Sequence, residues 1–396
     1  MFLRSLALHE YRSYESAQLT FGDGPTVLVG PNGQGKTNVL EAIQRISTGS
    51  SHRASSDQPL IRHGTPSGVL RAHIETDEGR TRSVELQLGV GRRTRVDGND
   101  VRRSSEAVGV LRSVLFAPED TAIVRGDPSE RRRFLDELLV LRRPAYGGVR
   151  SDFERVLRQR NNLLKSARPL RGEARVEALR TLEAWTEQFV GHAATVTAAR
   201  IASVHALAPR VDEIYRNLAD RPEPVALTYA TAAGFDVVGV TDGGTPDVAG
   251  LATLLREALA RTAKDEQDRG LTLVGPHRDE LVLDLGALPA RGYASHGEGW
   301  SLALALKLAT YDVVAEVGDR PIVLLDDVFA ELDTRRRAQL AEACQDWDQV
   351  IVTAAVEADV PVAGARVDVH LDGGVSQAIA RPEPIRPEPV RLEQAP

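Results

Sequence analysis

The sequence has a single cysteine, Cys344, so no disulfide can form within the chain. It has no apolar run near the roughly 20 residues that a membrane-spanning helix needs. Its first ten residues lack a basic segment ahead of an apolar one, and they predict a strand rather than a secretion signal. These absences predict a cytoplasmic protein with no membrane anchor.

Lysine is also scarce, and the positive charge is nearly all arginine. The net charge of −7 does not by itself indicate a nucleic-acid binder, so local arginine clusters matter more than the total. With 396 residues, 42% of them hydrophobic, the chain can bury a large core divided among two or three lobes.

The strongest motif is a phosphate-binding loop. The residues Gly30-Pro31-Asn32-Gly33-Gln34-Gly35-Lys36-Thr37 fit the pattern G-x-x-x-x-G-K-[ST] in full. An apolar run precedes the loop and a helical run follows it, so backbone N–H groups and the helix dipole can both face phosphate oxygens. We therefore expect Lys36 to reach the β- and γ-phosphates of ATP and the Thr37 hydroxyl to hold Mg²⁺.

An acidic pair follows an apolar run near the other end of the chain. Residues 322–325 predict a buried strand, and Asp326 and Asp327 end it in the manner of a Walker B motif. Asp326 is then expected to bind Mg²⁺, and Asp327 to orient the attacking water as a general base. An ordinary buried strand with an acidic end is the alternative, but a phosphate loop requires such a carboxylate.

Three weaker motifs surround this strand. Ser295-His296-Gly297-Glu298-Gly299-Trp300 stands before a helical run, where ABC-type ATPases carry a signature loop that contacts the opposite subunit's γ-phosphate. Read alone, it is a plain Gly/Ser loop. Asp333 ends a D-loop-like segment and is expected to contact the partner's phosphate loop. Thr353 stands at the position of the switch histidine, where it can form a hydrogen bond but carries no charge.

The order of the motifs predicts an α/β fold, in which an ABC-type P-loop ATPase head is assembled from both chain ends around an inserted helical lobe. We expect residues 1–125 to form the first half of this head, and residues 271–375 the second half. Residues 126–270 are expected to form the helical lobe, with antiparallel helices as a short arm. The proline-rich residues 376–396 predict a disordered tail.

Local signals add detail to this layout. Asp97-Gly98 predicts a β-hairpin, and Asp127-Pro128-Ser129-Glu130 predicts a helix start with a capping box. A strand is expected at 225–229 and a helix at about 247–268.

Up to about residue 375 the chain resembles the RecF family of bacterial recombination mediators, which is related to the heads of Rad50 and SMC proteins. The phosphate loop with Asn38 carries this resemblance together with short motifs in the family's order: Tyr11-Arg12-Ser13-Tyr14, Ser51-His52-Arg53, Leu60-Ile61-Arg62-His63-Gly64, Leu115-Phe116-Ala117-Pro118-Glu119-Asp120, Ser129-Glu130-Arg131-Arg132-Arg133-Phe134-Leu135-Asp136, Arg158-Gln159-Arg160-Asn161-Asn162-Leu163-Leu164, Gly275-Pro276-His277-Arg278-Asp279, Leu324-Leu325-Asp326-Asp327 and Ala330-Glu331-Leu332-Asp333. One departure is the signature, where Glu298 replaces a glutamine and Trp300 a basic residue.

The resemblance implies a protein that binds ATP and double-stranded DNA at gaps or junctions, dimerises head to head on ATP, and hydrolyses it slowly. With RecO and RecR, such proteins assist RecA loading in recombinational repair, replication restart and the response to DNA damage. It further implies that Ser295, Gly297 and Asp333 act on the partner's nucleotide. Arg12, Arg53 and Glu119 match family motifs near the nucleotide.

DNA binding has one direct sequence signal, the enrichment of arginine within residues 125–170. Arg131, Arg132 and Arg133 are the candidate contacts, and such residues bind phosphates with little sequence preference. Solvated helix faces are the alternative interpretation.

Two other functions stay open. The chain could be the ATPase subunit of a membrane transporter, although its signature is poor and its helical insertion long. It could also be a clamp in which bound ATP holds a conformation without hydrolysis.

Overall fold

The computed structural model describes residues 1–54, 56–219, 223–237, 241–242 and 245–381. The strands, in chain order, are β1 (Phe2–Tyr11), β2 (Tyr14–Thr20), β3 (Gly24–Val29), β4 (Ser67–Glu75), β5 (Thr81–Gly89), β6 (Arg93–Val96), β7 (Asn99–Asp100), β8 (Ser113–Phe116), β9 (Val225–Ala230), β10 (Thr241–Asp242), β11 (Thr245–Pro246), β12 (Glu280–Leu285), β13 (Leu288–Pro289), β14 (Ile322–Asp326), β15 (Gln349–Ala354), β16 (Ala365–Asp372) and β17 (Val375–Ala380).

The helices alternate with these strands at both ends of the chain and dominate its middle. They are α1 (Lys36–Thr48), α2 (Thr121–Arg125), α3 (Pro128–Arg142), α4 (Tyr146–Ala167), α5 (Gly172–Leu218), α6 (Val248–Arg269), α7 (Ala290–Tyr293), α8 (His296–Ala315) and α9 (Thr334–Asp346). Short 3₁₀ turns include Pro118–Asp120 and Val328–Glu331.

A mostly parallel sheet is the centre of the fold. Its strand order is β17-β16-β3-β15-β14-β8, and only β17 runs antiparallel to its neighbour. The inner strands β14 and β15 are buried along their whole length, as expected for parallel strands covered on both faces. The carboxyl ends of β3, β8, β14 and β15 meet at one edge, which is where open α/β sheets bind ligands.

A second, antiparallel sheet has the order β2-β1-β4-β5-β6-β7. The predicted hairpin at Asp97-Gly98 is confirmed, with both residues at positive φ between β6 and β7. The region up to residue 116 is therefore rich in strands, as its alternating patterns predict.

The two faces of the parallel sheet belong to different cores. Val27 and Val29 point into a core shared with the helices of the middle region, whereas Leu28 points into a core with α1 and the antiparallel sheet. Helix α1 thus lies between the two sheets, so its N-terminus is held rigidly at the ligand-binding edge. This layered arrangement confirms the predicted α/β head assembled from both chain ends.

Helices α4 and α5 form the predicted antiparallel pair. Phe153 stacks against Phe189, and Arg160 reaches Thr186, so positions further along α4 meet positions earlier in α5. The long proline-poor stretch forms one helix of 47 residues that continues through Pro209.

A buried ion pair ties this helical pair to α6. The guanidinium of Arg160 donates to Glu266 at 2.7 Å and to Thr272 at 2.7 Å, and both charged side chains are almost fully buried. The other carboxylate oxygen of Glu266 accepts the Leu273 N–H at 2.8 Å. Because every partner is paired, the charges are tolerated within the core.

The segment 275–279 is structural. Its His277 packs against Phe153 and Phe189, and burial lowers the pKa of this imidazole to about 4, so it is neutral at pH 7. Asp279 accepts hydrogen bonds from the Tyr229 hydroxyl and the Ala232 N–H, both at 2.8 Å. This motif therefore fixes β12 against its neighbours.

One local prediction is wrong. Helix α3 begins at Pro128 as expected, but the side chain of Asp127 does not cap it. Its carboxylate accepts from Arg291 at 3.0 Å, and Glu130 pairs with Arg133, so the predicted capping box does not form. Exposed ion pairs with arginine take the place of the cap.

The predicted boundary of the tail at residue 376 is also wrong. Residues 375–380 form β17, which pairs with β16, and the Arg381 guanidinium pairs with Asp368. Residues from 382 onward lie outside the described residues. The division into domains stays a prediction, and β9 from the expected helical lobe pairs with β12 beyond the expected boundary.

Candidate nucleotide-binding site

The phosphate loop lies between β3 and α1, as predicted. Helix α1 starts at Lys36, whose side chain is only 3% exposed. The Lys36 ammonium donates to the carbonyls of Gly30 at 2.7 Å and Pro31 at 3.0 Å. Burial lowers the pKa of Lys36, and the nearby charges of Asp327 and Asp326 oppose this shift. The loop thus surrounds the Lys36 ammonium, which lies at the centre of the loop.

Two glycines of the loop are required by close packing. A Cβ at Gly30 would lie 2.0 Å from the Val369 carbonyl oxygen of β16. Gly35 has a φ of 112°, and a Cβ there would lie 2.6 Å from the Ser376 hydroxyl. The C-terminal hairpin β16–β17 therefore presses directly on the phosphate loop.

Asp326 meets Thr37 beside the loop. The hydroxyls of Thr37 and Thr353 donate to the same Asp326 carboxylate oxygen, at 3.0 and 2.7 Å. Burial raises the pKa of Asp326, and the charges of Asp327 and Glu119 add to this effect, whereas the two hydroxyl hydrogen bonds oppose it. A bound divalent cation would offset the energetic cost of burying this negative charge. Hard oxygen ligands of this kind suit Mg²⁺.

Asp327 occupies a strained position next to Asp326. Its φ of 49° places it in the left-handed region, which non-glycine residues seldom adopt. Its N–H donates to the Thr353 hydroxyl at 2.9 Å, while its buried Oδ1 atom has no hydrogen-bond partner among the described residues. A buried unpaired carboxylate oxygen is available to a water molecule or a cation shell.

Thr353 thus links the two aspartates and is not exposed for contact with a ligand. It is fully buried, and its one hydroxyl joins the side chain of Asp326 to the backbone of Asp327. In the structure this hydroxyl therefore bonds to the acidic pair.

For the ATP hydrolysis that the sequence predicts at this site, Thr353→Val is expected to reduce kcat about tenfold with little change in KM, because the Asp327 N–H loses its acceptor. Steady-state kinetics on Thr353→Val and Thr353→Ser would check this. The serine variant keeps the hydroxyl and should retain activity; equal losses in both variants would argue against the connecting role.

Arg12 reaches the site indirectly. Its guanidinium binds the buried carboxylate of Glu41 on α1 through two hydrogen bonds of 2.8 and 2.7 Å. Glu41 also accepts from the Ser51 hydroxyl at 2.5 Å, and Arg53 lies 3.9 Å away. Burial opposes ionisation of Glu41, but these partners overcome it and its pKa lies below the ordinary value.

A chain of polar contacts surrounds the loop. Asn38 donates to the Ser13 hydroxyl at 2.9 Å and accepts from Arg53 at 3.2 Å. The Ser376 hydroxyl is 2.7 Å from Ser13 and donates to the Gln34 carbonyl at 2.6 Å. Sequence reasoning missed Glu41 and Ser376. An acidic residue inside the apolar stretch 39–43 of α1 could have indicated Glu41, whereas nothing local indicates Ser376.

Glu119 follows β8 at the same sheet edge, in the 3₁₀ turn 118–120, and is exposed. Its charge acts on both Asp326 and His52, so the structure brings it near the acidic pair.

The signature and D-loop residues form a second group. Ser295 is the N-cap of α8, and its side chain and that of Glu298 form a reciprocal capping box. Asp333 is the N-cap of α9 and binds the Arg336 side chain at 2.6 Å. A Cβ on Gly297 would lie 3.5 Å from that same guanidinium, so the two helix starts are neighbours.

The unusual residues of the signature thus have structural roles. Glu298 holds the backbone N–H of Ser295 at 2.8 Å, and Trp300 is buried in the core shared with the helices. Ser295 itself is exposed.

The arginine cluster is divided by burial. Arg131 is 4% exposed and makes two hydrogen bonds to Glu280 as well as bonds to the carbonyls of Ile123 and Gly126. It cannot contact DNA from there, so this assignment is wrong. Arg132 donates to the Asp279 carbonyl at 3.0 Å, and only Arg133 is exposed.

Comparisons with known proteins agree with this architecture. Residues 2–377 match the RecF/RecN/SMC N terminal domain family. The chain is 48% identical over 374 residues to the DNA replication and repair protein RecF of Streptomyces avermitilis, covering 93% of this chain and 98% of that protein.

Solved structures give the same result. The recombination mediator protein RecF-ATPrS in the RecFOR pathway superposes with a TM-score of 0.84 at 25% identity, covering 96% of this chain and 98% of that one. An Smc head domain from Pyrococcus furiosus, bound to the C-terminal domain of ScpA, shares the fold with a TM-score of 0.54 at 17% identity, covering 96% of each chain.

The fold and the site together define an ABC-type ATPase head of the kind found in SMC proteins. The chain belongs to the RecF family of DNA replication and repair proteins. Among the described residues, no helix is both long and apolar enough to cross a membrane.

Proposed function

We propose that the protein binds ATP with Mg²⁺ and hydrolyses it slowly, and that ATP binding drives dimerisation around double-stranded DNA. The observation that supports this most directly is the meeting of Lys36, Thr37, Asp326 and Asp327 at one sheet edge. A phosphate loop with a paired carboxylate is the machinery of phosphoryl transfer.

Each residue has a defined task in this proposal. Residues 30–38 bind the triphosphate, and Lys36 exchanges two backbone carbonyls for β- and γ-phosphate oxygens. Thr37 and Asp326 would hold Mg²⁺, which supplies positive charge against the developing phosphate charge. Asp327 orients the attacking water and accepts its proton, while Thr353 holds the carboxylate of Asp326 and the backbone N–H of Asp327. Arg12 and Glu119 flank the nucleotide.

The second group of residues supports a homodimer. Ser295 and Asp333 are exposed at the starts of α8 and α9. Helix N-termini favour anions, so these starts, with Gly297 between them, suit a γ-phosphate presented by a partner subunit. They complete the partner's site and not their own.

The family supports a proposal for the biological setting. Solved relatives are recombination mediators in the RecFOR pathway. We propose that this protein likewise acts in the cytoplasm with RecR and RecO, binds duplex DNA at gaps or junctions, and assists RecA loading during repair and replication restart.

The direct test is ATP hydrolysis measured against protein concentration, with and without duplex DNA. Turnover that rises more steeply than linearly and increases with DNA is expected from a dimeric, DNA-responsive ATPase. ATP binding without turnover would instead indicate the non-hydrolysing clamp, and absent ATP binding would refute the proposal.

A further inference from the structure

Two depressions lie side by side near the C-terminal end of α1. One, of about 800 Å³, is lined by Arg45, Arg53, Arg92 and Arg133. The other, of about 580 Å³, is lined by Arg102, Arg103, Arg150 and Arg155. They share Gly49 and Ser50, which follow α1. We call this continuous surface the arginine trough.

The trough concentrates positive charge on an acidic protein. Its lining has eight arginines against three carboxylates, Asp57, Asp152 and Glu154, whereas the whole chain carries a net charge of −7. Serine hydroxyls from both depressions add hydrogen-bond donors. Such a surface raises the local concentration of anions and suits phosphate oxygens in particular.

Arg45 is buried and pairs with Asp57, but Arg92 and Arg103 are available, unlike the arginines that the fold uses. The side chains of Arg92 and Arg103 are 60% and 69% exposed, against 5% for Arg131 and 4% for Arg160. Their ion pairs are long: Arg92 lies 3.5 Å from Asp57, and Arg103 lies 3.9 Å from Asp152. Exposed pairs of this kind contribute little, so a phosphate can replace the carboxylate at small cost.

The lining also distinguishes between kinds of nucleic acid. Proteins that hold single strands stack bases on aromatic side chains, whereas duplex binding needs only contacts to the backbone. Among the described residues, neither depression is lined by phenylalanine, tyrosine or tryptophan. The chemistry therefore fits the phosphate backbone of a duplex.

We propose that the arginine trough binds the phosphate backbone of double-stranded DNA. This inference rests on the proposed DNA binding. It assigns that binding to the trough and not to the cluster 131–133, of which only Arg133 belongs to the trough. The trough adjoins the nucleotide site, since Arg53 lines it and also contacts Asn38.

The test uses the full-length protein and a fluorescein-labelled 30-base-pair duplex, with binding followed by anisotropy at several salt concentrations. The variant is Arg92→Glu with Arg103→Glu, since neither residue touches the nucleotide site. We expect at least about a tenfold loss of affinity, with a salt dependence shallower by about one unit for each phosphate contact removed. The matched control is Arg180→Glu, an exposed arginine on α5 with one weak ion pair.

The outcomes are distinguishable. Unchanged DNA affinity and salt slope in the double variant, while the wild type binds duplex, would overturn the trough and leave the proposed function standing. A wild type that binds no duplex with or without ATP would overturn both. A variant that loses binding to poly-glutamate but not to DNA would make the trough a surface for an acidic protein, which also contradicts the proposal. Thermal melting of all variants establishes that they are folded.

Discussion

Lys36→Ala is expected to lower the affinity for ATP at least about 100-fold and to abolish hydrolysis. The Lys36 ammonium is the cation at the centre of the phosphate loop, and in the structure it is satisfied only by two backbone carbonyls of that loop. No other lysine is available to replace it, because the chain has four and only this one lies in the loop. Binding of a fluorescent ATP analogue would measure the loss.

Thermal melting provides the control for this variant. ATP should raise the melting temperature of the wild type, because a ligand that binds only the folded state stabilises it, and this shift should disappear in Lys36→Ala. Lys165→Ala, at an exposed lysine on α4, should behave as the wild type does. Normal ATP affinity in Lys36→Ala would refute the site.

Glu266→Leu is expected to lower the free energy of unfolding by about 3–5 kcal/mol, since it leaves a buried guanidinium without its counter-ion. Arg160 is nearly fully buried among α4, α5 and α6, and no water can replace the carboxylate easily. Chemical denaturation would measure the change. ATP binding should persist, because the phosphate loop lies on a separate part of the fold.

A double-mutant cycle makes this prediction sharper. Arg160→Met with Glu266→Leu removes both charges, and it should cost markedly less than the two single changes added together. Additive losses would mean that the two side chains act independently and would contradict the ion-pair interpretation.

The sequence predicts the first half of the site well because its signal is local. Strand, glycines, lysine and helix follow one another within a few residues, so the conformation of the loop at 30–37 can be predicted from that short segment alone. Asp326 and Asp327 are equally visible, because four buried strand residues lead directly to them. Their meeting with Thr37 depends on the strand order, which no short motif contains.

The error at Arg131 could have been avoided, and the departure at Glu298 explained, with signals already present in the sequence. Arg131 precedes Phe134, Leu135 and Leu138 at helical spacing, so it lies on the buried face of α3, and Arg160 follows Phe153 and Val156 in the same manner. Ser295 and Glu298 have the spacing of a capping box, which explains the glutamate without any contact to phosphate. By contrast, Ser376 reaches the loop through a long-range packing contact that has no local pattern.

The position of β3 has a consequence for how the protein is made. This strand is synthesised early, but both of its partners in the sheet, β15 and β16, belong to the last part of the chain. Until those strands leave the ribosome, the nascent β3 has exposed edges and the phosphate loop lacks the hairpin that presses on it. Pairing over such a distance is slow. A chain that stops before residue 349 therefore contains the whole phosphate-loop sequence but none of the strands that pair with β3 or pack against the loop, so we expect ATP to bind only completed molecules.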